Sequence, residues 1–142
     1  SVLHIRRNEH APGDAALVLH GQELELLSVK LDGRDLERGS FEQGAESLSI
    51  PSVPAQFELR CSTRIRPQDN TSLEGLYKSR TMYCTQCEAE GFRDITYYLD
   101  RPDVMSEFTS KVIADKATYP VLLSNGNLVD QGIVDNLPNA AI

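Results

Sequence analysis

Phe57-Glu58-Leu59-Arg60-Cys61-Ser62-Thr63-Arg64-Ile65-Arg66 is the stretch whose reading decides the fold. Its odd positions carry Phe, Leu, Cys, Thr and Ile; its even positions carry Glu, Arg, Ser, Arg and Arg. Side chains of a β-strand alternate between the two faces, so this pattern predicts a strand with the first set inward and the second in water. Shorter runs of the same kind flank it. Val2-Leu3-His4-Ile5, Ala16-Leu17-Val18-Leu19, residues 24–31 and Ser47-Leu48-Ser49-Ile50 read as strands before it. Residues 108–114, Val121-Leu122-Leu123 and residues 131–134 read as strands after it. Asp32-Gly33 and Asn125-Gly126 are hairpin-turn dipeptides, and Pro12-Gly13 marks another turn. Residues 39–43 read as a turn, Pro51 and Pro54 bracket a loop, and residues 67–80 are polar and loop-like. Only residues 88–99 and 103–107 could hold a short helix. The fold class that follows is mostly β: a twisted β-sandwich or saddle-like antiparallel sheet domain with at most one or two short helices.

A chain of 142 residues corresponds to one domain and can bury about two-thirds of its unfolded surface. Its 40% apolar and 25% charged residues are globular values, which argues against disorder. The net charge of -7 disfavours nucleic acid, whose phosphates need clustered Lys and Arg, and disfavours anionic membranes. No apolar run approaches the ~20 residues that span a bilayer. The first ten residues are polar and lack the apolar core of a signal peptide. Three cysteines cannot all pair within the chain, so reduced thiols and a cytoplasmic setting are expected. Asn70-Thr71-Ser72 fits a glycosylation triplet but reads better as a solvated turn. The chain opens inside a strand and closes at Asn139-Ala140-Ala141-Ile142, where a sheet should continue, so residues 1–142 are expected to be a single, truncated domain.

Few residues carry chemistry by spacing alone. His4, His10 and His20 are not in a His-Glu-x-x-His arrangement, which would set two zinc ligands one helical turn apart. They read as solvated or hydrogen-bonded histidines. Cys84 and Cys87 have the spacing of a zinc or redox pair, but a zinc ribbon needs a second pair and a redox site needs a βαβ context. Gln86 and Glu88, two apart in an extended segment, would project together and could receive an ammonium group: the carboxylate supplies charge, the amide oxygen a second acceptor. No nucleophile elbow and no phosphate-binding glycine loop is present.

The runs Ser72-Leu73-Glu74-Gly75-Leu76-Tyr77, Tyr83-Cys84-Thr85-Gln86-Cys87-Glu88-Ala89-Glu90-Gly91-Phe92-Arg93 and Ile95-Thr96-Tyr97-Tyr98-Leu99-Asp100-Arg101-Pro102-Asp103-Val104 closely resemble the bacterial aminopeptidase N family of gluzincin-type zinc metallopeptidases. The similarity continues through Phe108-Thr109-Ser110-Lys111, Ala114-Asp115-Lys116 and Tyr119-Pro120-Val121-Leu122-Leu123-Ser124-Asn125-Gly126-Asn127. The resemblance implies an N-terminal β-domain that caps the active site of an enzyme removing N-terminal amino acids from peptides. It implies that Glu88 binds the substrate's α-ammonium and that Gln86 lines the first side-chain pocket. Asp100-Arg101-Pro102-Asp103 looks structural, with carboxylates pairing to Arg101. The family's zinc ligands and general base lie beyond residue 142, so this chain by itself is expected to hold no metal and no activity. The partners implied are the peptide N-terminus and the catalytic domain of the same polypeptide. Two rival readings are a non-catalytic β-sandwich that docks on other proteins, and a zinc or redox module built on the cysteine pair.

Overall fold

The computed structural model describes residues 1–135. Nine strands form among them: β1 Val2–Arg6, β2 Leu17–His20, β3 Glu25–Leu31, β4 Arg34–Asp35, β5 Glu42–Gln43, β6 Ser47–Ile50, β7 Gln56–Arg64, β8 Gly75–Ser79 and β9 Met82–Gln86. All pairings are antiparallel. They build a four-stranded sheet in the order β1-β7-β3-β4, a three-stranded sheet β2-β6-β5 and the hairpin β8-β9. The fold is a mostly β sandwich, as the alternation predicts.

β7 obeys its pattern. Phe57, Leu59 and Cys61 are buried, while Arg60, Ser62 and Arg64 are exposed. β1 pairs along one side of it (Leu3↔Leu59) and β3 along the other (Val29↔Cys61), with a bulge between Leu26 and Ser28. The other sheet supplies Leu17, Leu19, Leu48 and Ile50 to the same buried cluster, and Tyr97 completes it. Removing such side chains from water stabilises by about 1.5–3 kcal/mol each and is the main force holding the sheets together. The hairpin predicted at Asp32-Gly33 joins β3 to β4, with both residues at positive φ (48° and 78°) as a type I′ turn requires. Ser1–Met105 forms one compact unit, and Ser106–Ile142 forms a second.

Four sequence expectations are corrected. Residues 67–80 are not all loop: β8 occupies Gly75–Ser79, because β9 offers a full ladder and Lys78 lies over the Tyr83 ring opposite it, 5.5 Å from its centre. The connecting turn uses Arg80 at φ 56° and carries no Gly or Asn to announce it. Residues 39–43 include the short strand β5, which pairs with Ser49 and Leu48. Residues 108–114, 121–123 and 131–134 form no strands: the apolar patterning is present, but no ladder partner reaches them among the described residues. Of the two possible helices, residues 88–99 hold only the 3₁₀ turn Gly91–Asp94, and residues 103–107 hold none. The expectation about residues 139–142 lies outside the described residues. No helix among those described is long and apolar enough to cross a membrane.

In the Ser106–Ile142 unit, two local turns are formed. Asp115 Oδ1 accepts from the Thr118 N–H (2.8 Å) and hydroxyl (2.6 Å), and the Tyr119 N–H donates to the Asp115 carbonyl (2.8 Å). These bonds to Thr118 hold the Asp115 carboxyl below its ordinary pKa. Gly126 takes φ 91° at the predicted Asn125-Gly126 turn.

Candidate functional site

β9 ends at Gln86, opposite Gly75 at the base of the hairpin. The chain then turns through residues 88–90 into the 3₁₀ turn Gly91–Asp94. Two glycines make this junction possible. A Cβ on Gly75, which has φ 67°, would stand 2.6 Å from Asp94 Cβ, and one on Gly91 would stand 2.7 Å from the Gln86 carbonyl. The backbone closes in where no side chain fits, and the Gly91 N–H donates to the Cys87 carbonyl at 3.0 Å.

Gln86 and Glu88 are both exposed on this turn. The strand stops at Gln86, so the two-residue period does not carry through to Glu88. What joins them is a hydrogen bond: the Gln86 side-chain amide donates to the Glu88 main-chain carbonyl at 2.9 Å. That bond uses an N–H and leaves the amide oxygen as an acceptor. The Glu88 carboxylate has no hydrogen-bond or ion-pair partner among the described residues. Glu90, by contrast, pairs with Arg93 at 3.4 Å.

Arg93 is the anchor that sequence reading missed. Its backbone N–H and its Nε both donate to Asp100 Oδ2 at 3.0 Å, and its Nη2 donates to the Asp100 carbonyl at 2.8 Å. The Asp100 N–H donates to His20 Nδ1 at 3.2 Å, and a two-way backbone bridge joins His20 to Tyr98. Phe92 meets Tyr98 edge to face at 5.1 Å. The turn is thereby fastened to β2. Asp100 is thus paired with Arg93, and among the described residues the carboxylate that pairs with Arg101 is the exposed Asp103. Arg93 and Asp100 meet only through the tertiary fold, so no periodic signal marks the pair, and the sequence reading gives Asp100 to Arg101 instead. The Arg93 and Asp100 side chains are only 19% and 13% exposed, so Asp100→Asn should cost about 2 kcal/mol, as for a charged hydrogen bond lost in a shielded place. Arg101→Ala should cost under about 1 kcal/mol, since its partner is in water. Urea-unfolding midpoints of the two variants test this; equal shifts would count against the clasp.

The surroundings are negative. Burial, then the charges of Glu74 and Glu23, push the Asp94 carboxyl above its ordinary pKa. Burial, then Asp100 and Asp94, push up the Cys87 thiol. Two clefts are found elsewhere: about 260 Å³ bordered by Glu25, Arg66, Asn70 and Asp94, and about 420 Å³ bordered by His4, Asp32, Phe57 and Glu58. Gln86 and Glu88 line neither.

The metal readings find no support in geometry. Among the described residues no three His, Cys, Asp or Glu side chains gather as ligands. His20 Nδ1 is taken by the Asp100 N–H, and Cys61 is buried in the core. These residues do not fit a zinc ion. The three thiols are free, and burial raises the Cys61 pKa to about 11. A folded-state pKa above the unfolded value of 9.0 means that this thiol stabilises the fold below pH 9 and ceases to do so between pH 9 and 11. Stability should therefore fall across that window, and Cys61→Val should flatten the fall. Thiol titration should count three groups in denaturant, with Cys61 reacting last in the native protein. A denatured count near one would reveal a disulfide and reverse this reading.

Comparison with known proteins identifies the fold's relatives. The peptidase M1 N-terminal domain family matches residues 7–139. Aminopeptidase N of Escherichia coli is 53% identical over 127 residues, 89% of this chain and 14% of that protein. Aminopeptidase N of Caulobacter vibrioides is 49% identical over 84% of this chain and 14% of its own length. The crystal structure of Legionella pneumophila aminopeptidase A in complex with aspartic acid superposes with a TM-score of 0.85 at 31% identity, over 91% of this chain and 15% of that one. The chain thus spans about one-seventh of the relatives it matches. On a match that runs through nearly all of its length, the chain belongs to the peptidase M1 N-terminal domain family.

Proposed function

We propose that residues 1–142 are a truncated N-terminal β-domain that caps the active site of a zinc-dependent, cytoplasmic aminopeptidase, and that Glu88 binds the α-ammonium group of the peptide substrate. Gln86 lines the pocket for the first side chain beside it. The zinc and the residues that hold it belong to the catalytic domain of the full-length protein, which these residues contact but do not include.

The observation that supports this reading is the division of labour among neighbouring carboxylates. Asp100 and Glu90 are spent on Arg93, whereas Glu88 stands exposed and unspent on a turn fastened at both ends. An exposed carboxylate with no partner among the described residues is what an ammonium group seeks. The hydrogen bond from Gln86 fixes the Glu88 backbone, so the charge is placed rather than loose. A charge-assisted contact to the amine also sets how far the first peptide bond extends beyond it, which is how an enzyme of this kind removes one residue at a time.

Competitive binding to the full-length protein tests the assignment. An amino-acid ligand and its des-amino analogue should differ in affinity by at least about tenfold, and Glu88→Gln should abolish most of that difference. Gln86→Ala should alter the preference among side chains and leave amine recognition in place. Discrimination that survives Glu88→Gln would defeat the reading. The rival of a non-catalytic docking module predicts no amine discrimination at all.

A further inference from the structure

The bend at Asn125-Gly126 carries chemistry of its own. Both residues are exposed. Gly126 takes φ 91°, and nothing lies within 4 Å of where a Cβ on it would stand. Among the described residues, neither the Gly126 N–H nor the Asn125 side-chain amide has a hydrogen-bond partner. The other described asparagines each lack one of these features. Asn70 is held on both amide atoms: Nδ2 donates to the carbonyls of Glu74 (2.7 Å) and Leu76 (3.0 Å), and Oδ1 accepts from the Ser72 N–H (3.0 Å) and hydroxyl (2.8 Å). Asn8 Oδ1 accepts from the His10 N–H at 2.9 Å, and Glu9 follows it. Asn127 is exposed, but the branched Leu128 follows it. Only at Asn125 do a free amide, a free N–H and a following glycine coincide among the described residues.

We propose that Asn125 is a self-modifying site, which loses its side-chain amide as ammonia in the folded protein and becomes aspartate or isoaspartate. The reaction needs only water. The Gly126 backbone nitrogen gives up its proton and attacks Asn125 Cγ, forming a C–N bond. The Cγ–Nδ2 bond breaks, and Nδ2 leaves as ammonia with a proton in place of the one given up. The product is a five-membered imide. Water attacking Cγ restores the ordinary peptide and leaves aspartate. Water attacking the main-chain carbonyl carbon leaves isoaspartate, with an extra methylene in the backbone. Nothing is oxidised or reduced. Gly126 favours ring closure twice over. It has no side chain to crowd the approach to Cγ, and its backbone turns freely enough to bring the nitrogen there. An N–H outside any ladder also attacks without first breaking a hydrogen bond. The change takes the formal net charge from -7 to -8. This inference rests neither on family membership nor on the role of Glu88.

Ageing the folded full-length protein in mildly alkaline buffer tests it. Peptide mapping by mass spectrometry should find Asn125 converted at least about tenfold faster than Asn127, its exposed neighbour without a following glycine. Asn70 should be the slowest of the three, since its amide must first be freed. Isoaspartate should appear beside aspartate at position 125, and anion exchange should resolve the more acidic product. Asn125→Gln should suppress that product, because its ring would need one more carbon. The comparison with Asn127 needs no variant and stands even if Asn125→Gln does not accumulate. Conversion at Asn125 no faster than at Asn127 would overturn the proposal. So would conversion confined to protein unfolded in urea, which would show that the fold closes the site. Aspartate formed without isoaspartate would also overturn it, by showing direct hydrolysis with no imide.

Discussion

Glu88→Gln in the full-length protein is expected to lower kcat/KM by about 10- to 150-fold, the loss falling mainly on substrate binding. The substitution keeps the shape of the side chain and the main-chain carbonyl that receives the Gln86 amide, and removes only the charge. A charge-assisted hydrogen bond in a shielded site is worth about 1.5–3 kcal/mol, and each 1.4 kcal/mol is a factor of ten. In the proposed placement a closed active site would supply that shielding; on the domain surface alone the carboxylate lies in water, where the same contact is weak. Glu90→Gln is the control of like chemistry two residues away. Its carboxylate faces Arg93 on an exposed surface, so its loss should change kcat/KM by less than about twofold. Steady-state kinetics on an aminoacyl arylamide decide the matter. A Glu88→Gln enzyme within about twofold of wild type, or a Glu90→Gln enzyme more damaged than it, would remove Glu88 from the amine site.

Gly75→Ala is expected to destabilise the 142-residue chain by about 2–5 kcal/mol, and Gly33→Ala by only about 1–2 kcal/mol. Both glycines have positive φ, 67° and 78°. A left-handed backbone costs any other L-residue about 1–2 kcal/mol, and that term is common to both. The difference is space. Nothing lies within 4 Å of a Cβ at Gly33, whereas one at Gly75 meets Asp94 Cβ at 2.6 Å and the Gly91 carbonyl at 3.3 Å. Forcing an atom into packed surroundings adds about 1–3 kcal/mol. Because Gly75 faces Gln86 across the hairpin, the same substitution should also disturb the turn that presents Glu88. Equal costs in urea unfolding would show that the base of the hairpin yields more readily than its geometry indicates.

What could be read from the sequence was whatever one residue's neighbours along the chain determine. β7 was legible because its pattern of period two runs for its whole length and one face is buried. Asp32-Gly33 was legible because a type I′ turn demands two left-handed residues, and that dipeptide supplies them at low cost. β8 was hidden. Its ladder depends on β9, its turn uses Arg80, and its exposed end at Lys78 and Ser79 gives no apolar alternation. The site divides along the same line. Gln86 and Glu88 could be named, since a compact motif carries them. The clasp that holds their turn could not, because Arg93, Asp100 and His20 meet only through tertiary structure. The runs at residues 108–114, 121–123 and 131–134 erred in the other direction: a pattern suited to a strand is not a strand until another one lies beside it.

The position of β7 at the middle of its sheet has a consequence for synthesis. Val2 pairs with Arg60, so 58 positions must be translated before β1 meets its partner. At about 5–20 residues per second, β1 waits on the order of 3–12 s for β7 to be made. Gly75 and Gln86 are 11 positions apart, and the hairpin between them can close about a second or two after its first residue appears. The turn that presents Glu88 can thus be shaped early from its own neighbourhood, while β1 depends on a partner far along the chain and is the strand with more need of a chaperone's cover.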